Sequence, residues 1–119
     1  MTAEEMLQIQ VIDWAYYNTW KYPQLELMFH VANEGKRSAV QGIKLKRMGL
    51  KRGVPDLILP CGNGKYSGLY IELKTEKGRP TTEQKAWIKK LLKAGNYAKI
   101  CYGFEDATST IQNYVEGKL

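Results

Sequence analysis

Glu72 and Lys74 lie two residues apart in a segment that alternates between apolar and polar residues. Successive side chains of a β-strand point to opposite faces, so both charged groups would project from the same face. The other face would carry Leu69, Ile71 and Leu73. So regular an apolar face does not need a carboxylate and an ammonium group for packing, which makes the pair a candidate for chemistry.

Asp56 belongs to the preceding predicted strand, ahead of a turn rich in glycine. If the two strands pair across that turn, Asp56 comes beside Glu72. Two converging carboxylates repel each other unless one is protonated or a cation lies between them. Mg²⁺ is the usual cation where phosphate is the substrate, and Lys74 could hold the attacking water or stabilise charge on the phosphate. The pattern indicates phosphodiester hydrolysis; an ordinary Glu/Lys pair on an exposed strand is the alternative.

The elements that must position these residues follow from periodicity and end signals. Capping boxes at Thr2, Ser38 and Thr81 mark three helix starts. The predicted helices span 2–17, 38–48, 81–94 and 105–115, and the predicted strands 25–32, 54–60, 69–74 and 97–102. This order predicts the α/β class, with a mixed sheet flanked by helices.

The composition fits one globular domain over residues 1–119, with 44% hydrophobic and 25% charged residues. No apolar run is long enough to cross a bilayer, and the N-terminal segment lacks the bases of a secretory signal. Cys61 and Cys101 have no metal-ligand spacing, so we expect reduced structural thiols. These features predict a cytoplasmic protein without a membrane partner.

The net charge of +6 suits a polyanionic partner. A segment without any acid runs from Lys36 to Arg52, and such a segment is typical of nucleic-acid binding, although a solvated basic helix is the alternative. A helix continuing to Lys51 would align that residue with Lys44 and Arg47 as one stripe. The predicted DNA-binding residues are Lys36, Arg37, Lys44, Arg47, Lys51 and Arg52.

Three segments together resemble the virus-type replication-repair nuclease (VRR-NUC) family of the PD-(D/E)xK superfamily. They are residues 53–59 (GVPDLIL), 68–74 (GLYIELK) and 78–84 (GRPTTEQ). The segments 33–38 (NEGKRS) and 102–104 (YGF) also resemble short stand-alone members from phages and bacteria. The resemblance implies a restriction-endonuclease-like αβββαβ core and a nuclease using Mg²⁺, with Mn²⁺ as a substitute. It further implies structured DNA as substrate, and a homodimer that can cut Holliday junctions.

Carried over residue by residue, the resemblance implies Asp56, Glu72 and the backbone carbonyl of Leu73 as metal ligands. It implies Lys74 as the catalytic lysine. It also implies a role for Gln84, which equally fits the capping-box position after Thr81; the two roles are compatible.

The family's first helix usually supplies one more glutamate to the site, four residues before a glutamine. Glu4 and Gln8 have that spacing and share a helix face. Glu5 is the rival, but the capping box with Thr2 accounts for it, so Glu4 is our choice as a catalytic and metal-binding residue.

Two other features have less specific interpretations. His30 is the single histidine, and we expect it to be structural or to face the substrate rather than to act as a general base. An aromatic cluster could form a dimer interface or a DNA wedge, and the sequence leaves both open. The cluster comprises Tyr16, Tyr17, Trp20 and Tyr22.

The leading prediction is a metal-dependent, structure-specific DNA endonuclease acting as a homodimer on four-way junctions. One alternative keeps the hydrolysis but changes the substrate to flaps, single strands or restriction-like sites. Another is a DNA-binding module that does not cut. That module would retain the basic segment but would have no use for three charged groups at one point, since acids near phosphate weaken binding without a metal.

Overall fold

The computed structural model describes residues 1–32 and 38–119. In chain order these form α1 (Ala3–Tyr17), a 3-10 helix (Pro23–Leu27), β1 (Phe29–His30), α2 (Ala39–Arg47), β2 (Leu57–Leu59), β3 (Leu69–Lys74), α3 (Thr82–Lys93), β4 (Tyr97–Tyr102) and α4 (Gly103–Val115). The predicted α/β class with a mixed sheet and flanking helices is confirmed. Within the described ranges, no helix combines the length and apolar character needed to cross a bilayer.

The four strands form one sheet in the order β1-β2-β3-β4. β1, β2 and β3 are successively antiparallel, whereas β3 and β4 run parallel. A parallel pair needs a crossover connection, and α3 supplies it. Leu57 pairs with Ile71 in the β2–β3 ladder, which fixes the register on both sides of the functional residues.

The core lies on the sheet face that packs against α1 and α4. α1 contributes Leu7, Val11 and Ala15, while α4 contributes Ile111 and Tyr114, all of them buried. They pack against the apolar side chains of β2 and β3. The alternation predicted for residues 69–74 therefore holds, because the apolar set faces this core and leaves Glu72 and Lys74 on the opposite face.

All three predicted capping boxes are present. The side-chain oxygen of Thr2 accepts the N–H of Glu5 at 3.1 Å, and the Glu5 carboxylate accepts the N–H of Thr2 at 2.7 Å. Ser38 and Thr81 make the same reciprocal bonds at the starts of α2 and α3. Each cap contributes about 1 kcal/mol and fixes where its helix begins.

The predicted strand 25–32 is wrong over most of its length. Pro23 has the fixed φ and the missing N–H that suit a helical first turn, and the chain forms a 3-10 helix after it. The N–H of Leu25 bonds to the carbonyl of Tyr22, and the N–H of Met28 to that of Leu25. Only Phe29 and His30 join the sheet, as an edge strand. Leu25 reaches the core from the short helix instead and Met28 packs against that core, whereas Leu27 is exposed.

Other boundaries differ in smaller ways. α2 ends at Arg47 because Gly49 adopts a φ of +107°, so Lys51 is not part of a helical stripe with Lys44 and Arg47. α4 begins at Gly103, two residues earlier than predicted. Residues 33–37, which include the predicted DNA-binding residues Lys36 and Arg37, lie outside the described residues.

Candidate active site

Asp56 is positioned by the β2–β3 ladder. The register pairs Leu57 with Ile71, so the residue before Leu57 lies opposite Glu72. A carboxylate oxygen of Asp56 accepts the backbone N–H of Leu73 at 2.8 Å, and Asp56 itself is buried. The structure thus brings Asp56 beside Glu72, as the predicted strand pairing required.

Glu72 is the most enclosed acid of the site, with 1% of its surface exposed. One carboxylate oxygen, Oε2, accepts a hydrogen bond from Gln84 Nε2 at 3.0 Å and lies 3.6 Å from Lys74 Nζ. The other oxygen, Oε1, has no hydrogen-bond partner among the described residues. Burial, followed by the negative charge of Asp56, raises the pKa of Glu72 to about 9, although Lys74 opposes the shift.

Lys74 connects the sheet to the first helix. Its Nζ lies 3.6 Å from Glu72 Oε2 and 3.6 Å from Glu4 Oε1. Glu4 is in the first turn of α1, so the N-terminal end of this helix lies close to Asp56 and Glu72. Carboxylate oxygens of Glu4, Asp56 and Glu72 lie within 4.8 Å of one another. The glutamate chosen from its spacing is therefore the one at the cluster, while Glu5 is held in the capping box.

Three oxygen donors at this spacing suit a hard divalent cation such as Mg²⁺ or Mn²⁺. The unpartnered Oε1 of Glu72 supports this fit, since a buried carboxylate oxygen is costly without a donor or a cation beside it. A cation would also relieve the repulsion that raises the pKa of Glu72. The structure places the N–H of Leu73 against Asp56; a role for the Leu73 carbonyl as a ligand stays a prediction.

Gln84 makes contacts that fit both of its predicted roles. Its Oε1 accepts the N–H of Thr81 at 2.9 Å, which completes the capping box of α3. Its Nε2 donates to Glu72 at the same time. The start of α3 is thereby tied to the acidic cluster, and Gln84 holds the Glu72 carboxylate in one orientation.

A cleft of about 620 Å³ extends from the acids towards α2. Asp56, Glu72 and Gln84 lie at one end, and α2 contributes Gly42, Ile43 and Lys46. Among the described residues, the other cations that line the cleft are Lys51 and Arg52. A negative site with positive walls is the arrangement expected where a metal and a phosphate strand bind together.

The structure separates the predicted DNA-binding residues into two groups. Lys51 and Arg52 line the cleft, whereas Lys44 and Arg47 are exposed on another side of α2 and do not line it. Lys46, which the predicted set did not include, is the described α2 cation that lines the cleft. Its helical spacing from Gly42 and Ile43 is the signal that could have identified it, once the cleft-facing side of α2 was known.

His30 contacts the site through the backbone. Its Nδ1 donates to the main-chain carbonyl of Asp56 across 2.8 Å, and the ring is otherwise exposed on β1. No sequence pattern signals this contact, because it depends on how the two-residue strand β1 pairs with β2. This backbone contact agrees with the expectation that His30 is structural or faces the substrate.

The predicted aromatic cluster is smaller than expected. Tyr16, Tyr17 and Trp20 are strongly exposed, with Trp20 at 79%. Tyr22 is buried instead, and its hydroxyl donates to the Glu116 carboxylate, so it does not belong to this surface.

Comparison with known proteins shows the family of the chain. The sequence profile of the VRR-NUC domain matches residues 4–105, and the chain belongs to this family. A VRR-NUC domain is a nuclease of the PD-(D/E)xK type. The chain is also similar to a solved structure described as "VRR_NUC domain protein", with 32% identity and a TM-score of 0.84. That alignment covers 98% of this chain and 90% of the other. No curated protein matches the chain.

Proposed function

We propose that the protein is a metal-dependent endonuclease that hydrolyses phosphodiester bonds in structured DNA. The observation that carries this proposal is the convergence of Glu4, Asp56 and Glu72 beside Lys74. The buried, unpartnered oxygen of Glu72 points to a cation, and the cationic cleft beside it suits a DNA strand. In this proposal Asp56, Glu72 and Glu4 hold Mg²⁺ or Mn²⁺, with the Leu73 carbonyl as a further ligand.

When bound, the metal would neutralise phosphate oxygens and lower the pKa of water at the site. Lys74 Nζ, held between Glu4 and Glu72, donates hydrogen bonds to the attacking water or to the phosphate oxygen on which charge builds. Gln84 keeps Glu72 aligned, since its amide is anchored at the other end by the α3 cap. Water adds to phosphorus as the bond to the 3′ oxygen breaks, leaving a 5′-phosphate and a 3′-hydroxyl.

We infer that the preferred substrate is a four-way junction bound by a homodimer. A junction has near two-fold symmetry, and a C₂ dimer would place two active sites in matching positions on it. The exposed side chains of Tyr16, Tyr17 and Trp20 support the dimer, because a large aromatic surface is typical of an interface. The net charge of +6 supports binding to DNA.

The test is cleavage of end-labelled DNA with Mg²⁺, Mn²⁺ or EDTA. A four-way junction, a flap and a linear duplex are compared. We expect symmetric cuts in the junction with either metal and none with EDTA. If none of the three DNAs is cut with either metal, the proposed nuclease function is contradicted. Cutting of the flap in preference to the junction would assign a flap nuclease instead.

Sedimentation of the free protein tests the proposed dimer. A protein that sediments as a monomer at the concentrations of the cleavage assay would exclude the dimer.

A further inference from the structure

The cleft beside the acids has an apolar wall as well as a cationic one. Ile43 faces it from α2 with 62% of its surface exposed, and Leu50 and Val54 line the same space. Lys46, on the same side of α2, adds a charge next to these side chains. The cleft therefore offers contacts for an anionic group and an apolar group together.

Paired DNA gives such a wall little to contact. The outside of a duplex is sugar and charged phosphate, and its bases are stacked inside. An unpaired nucleotide differs, because its base can leave the stack and pack against apolar or aromatic side chains while its phosphates remain on cations. The volume of about 620 Å³ is within the range of small-molecule pockets and is large enough for one base with its sugar.

The segment that carries two of the cations is held in place by α3. Trp87 Nε1 donates to the backbone carbonyl of Arg52 at 2.8 Å. Gly53 has a φ of +83°, and a Cβ added to it would lie 2.7 Å from the main-chain carbon of Glu83. Arg52 and Val54 are thus fixed relative to Gln84 and the acids, so this wall of the cleft is in place before a ligand binds.

We propose that this cleft binds an unpaired nucleotide next to the scissile phosphate. Ile43, Leu50 and Val54 contact the base and sugar, and Lys46, Lys51 and Arg52 contact the flanking phosphates. The substrate class is then DNA in which the nucleotide at the cut is unstacked, as at a flap or at a junction whose base pair next to the branch point has opened, rather than a continuous duplex. This proposal rests on the proposed nuclease function but concerns binding, so it is measured separately from cutting.

The experiment compares Ile43→Ser with Val40→Ser. Both side chains are exposed on α2, Val40 at 76%, but Val40 does not line the cleft. Each change is made in a Glu72→Gln background and measured with EDTA, so that nothing is cut. Binding is followed by fluorescence anisotropy for a duplex with a flap and for a fully paired duplex of equal length. A fluorescent base analogue at the first unpaired position reports on stacking.

We expect Ile43→Ser to raise the Kd for the flapped DNA about tenfold and to leave the Kd for the paired duplex within about twofold. The base analogue should lose its fluorescence change in this variant and keep it in Val40→Ser. Equal weakening for both DNAs, no weakening, or the same effect from Val40→Ser would overturn the proposal. If Ile43→Ser weakens the binding of flapped DNA as expected but the unsubstituted protein cuts no DNA, the nuclease function is contradicted and the nucleotide-binding site is supported.

Discussion

The acidic cluster and helix α2 contribute to the same cleft, but they are held in different ways. Glu72 and Lys74 are buried on β3 and Asp56 is buried directly before β2, and each contacts another part of the site. On α2, by contrast, no residue is buried within the described chain, and its cations are exposed. The chemistry depends on groups fixed by the sheet, whereas the binding of phosphate is spread over solvated side chains. Substitutions of the charged residues should therefore have large, specific effects in the first region and small, additive effects among the cations of the second.

The largest effect should come from Lys74→Met, which keeps the length of the stem and removes the ammonium group. We expect cleavage to fall by at least about a hundredfold, because the group that assists water attack or stabilises the phosphate charge is lost. Single-turnover cleavage of a junction measures this. Lys118→Met, on an exposed lysine near the C-terminus, is the control and should cut normally. Comparable rates for both variants would remove Lys74 from the chemistry.

The pH dependence of stability should separate Glu72 from the exposed charges. Its pKa is raised from 4.5 to about 9, so without metal the folded state retains a proton that the unfolded state releases between those values. The unfolded state then binds fewer protons, and the free energy of unfolding falls as pH rises through this window. Urea unfolding in EDTA at several pH values measures the slope.

Glu72→Gln should reduce that slope, while Glu26→Gln, an exposed glutamate, should leave it unchanged. Two other groups with shifted pKa values titrate outside the pH range between 4.5 and about 9. Burial raises the pKa of Cys101 to about 11, and hydrogen bonds, first from Tyr22, lower that of Glu116 to about 2. A slope that is identical in Glu72→Gln and the unsubstituted protein would contradict a protonated Glu72.

Gln84→Ala and Gln41→Ala form a matched pair, since each removes the glutamine of a capping box. Both should cost about 1 kcal/mol in stability or less. Only Gln84→Ala also frees the Glu72 carboxylate, so only this variant should lose about tenfold in cleavage rate. Thermal unfolding and single-turnover rates together test the distinction. Equal rates for the two variants would reduce Gln84 to a helix cap.

The smallest effects should come from the cations of α2. Lys46→Ala should weaken junction binding about threefold and lower the salt slope by about one, because one phosphate contact is lost. Lys44→Ala should change both quantities less, since Lys44 lies outside the cleft. Binding is measured across a salt series in EDTA. A larger effect from Lys44 would place the DNA on the other side of the helix.

Local signals were sufficient for much of this site. The alternation at residues 69–74 placed Glu72 and Lys74 on one face, and the three capping boxes located the helix starts. The capping box also distinguished Glu5 from Glu4, because one side chain cannot close the cap and reach the sheet. In these cases the determining contacts lie within a few residues along the chain.

The remaining features depend on tertiary contacts that no local pattern contains. The apolar residues after Pro23 were interpreted as a strand, since composition does not distinguish a short strand from a 3-10 helix that packs its side chains into the core. The side of α2 that faces the acids follows from the path of residues 50–54, which Trp87 and Gly53 fix against α3. For this reason Lys46 and the backbone contact of His30 were found only in the structure.

The most direct test of the metal site is anomalous diffraction from crystals of the protein soaked with Mn²⁺. We expect a manganese peak bounded by the carboxylates of Glu4, Asp56 and Glu72, and its loss in crystals of Glu72→Gln. A peak that persists in Glu72→Gln, or an acidic cluster that stays empty while Mn²⁺ supports cleavage in solution, would contradict this metal site.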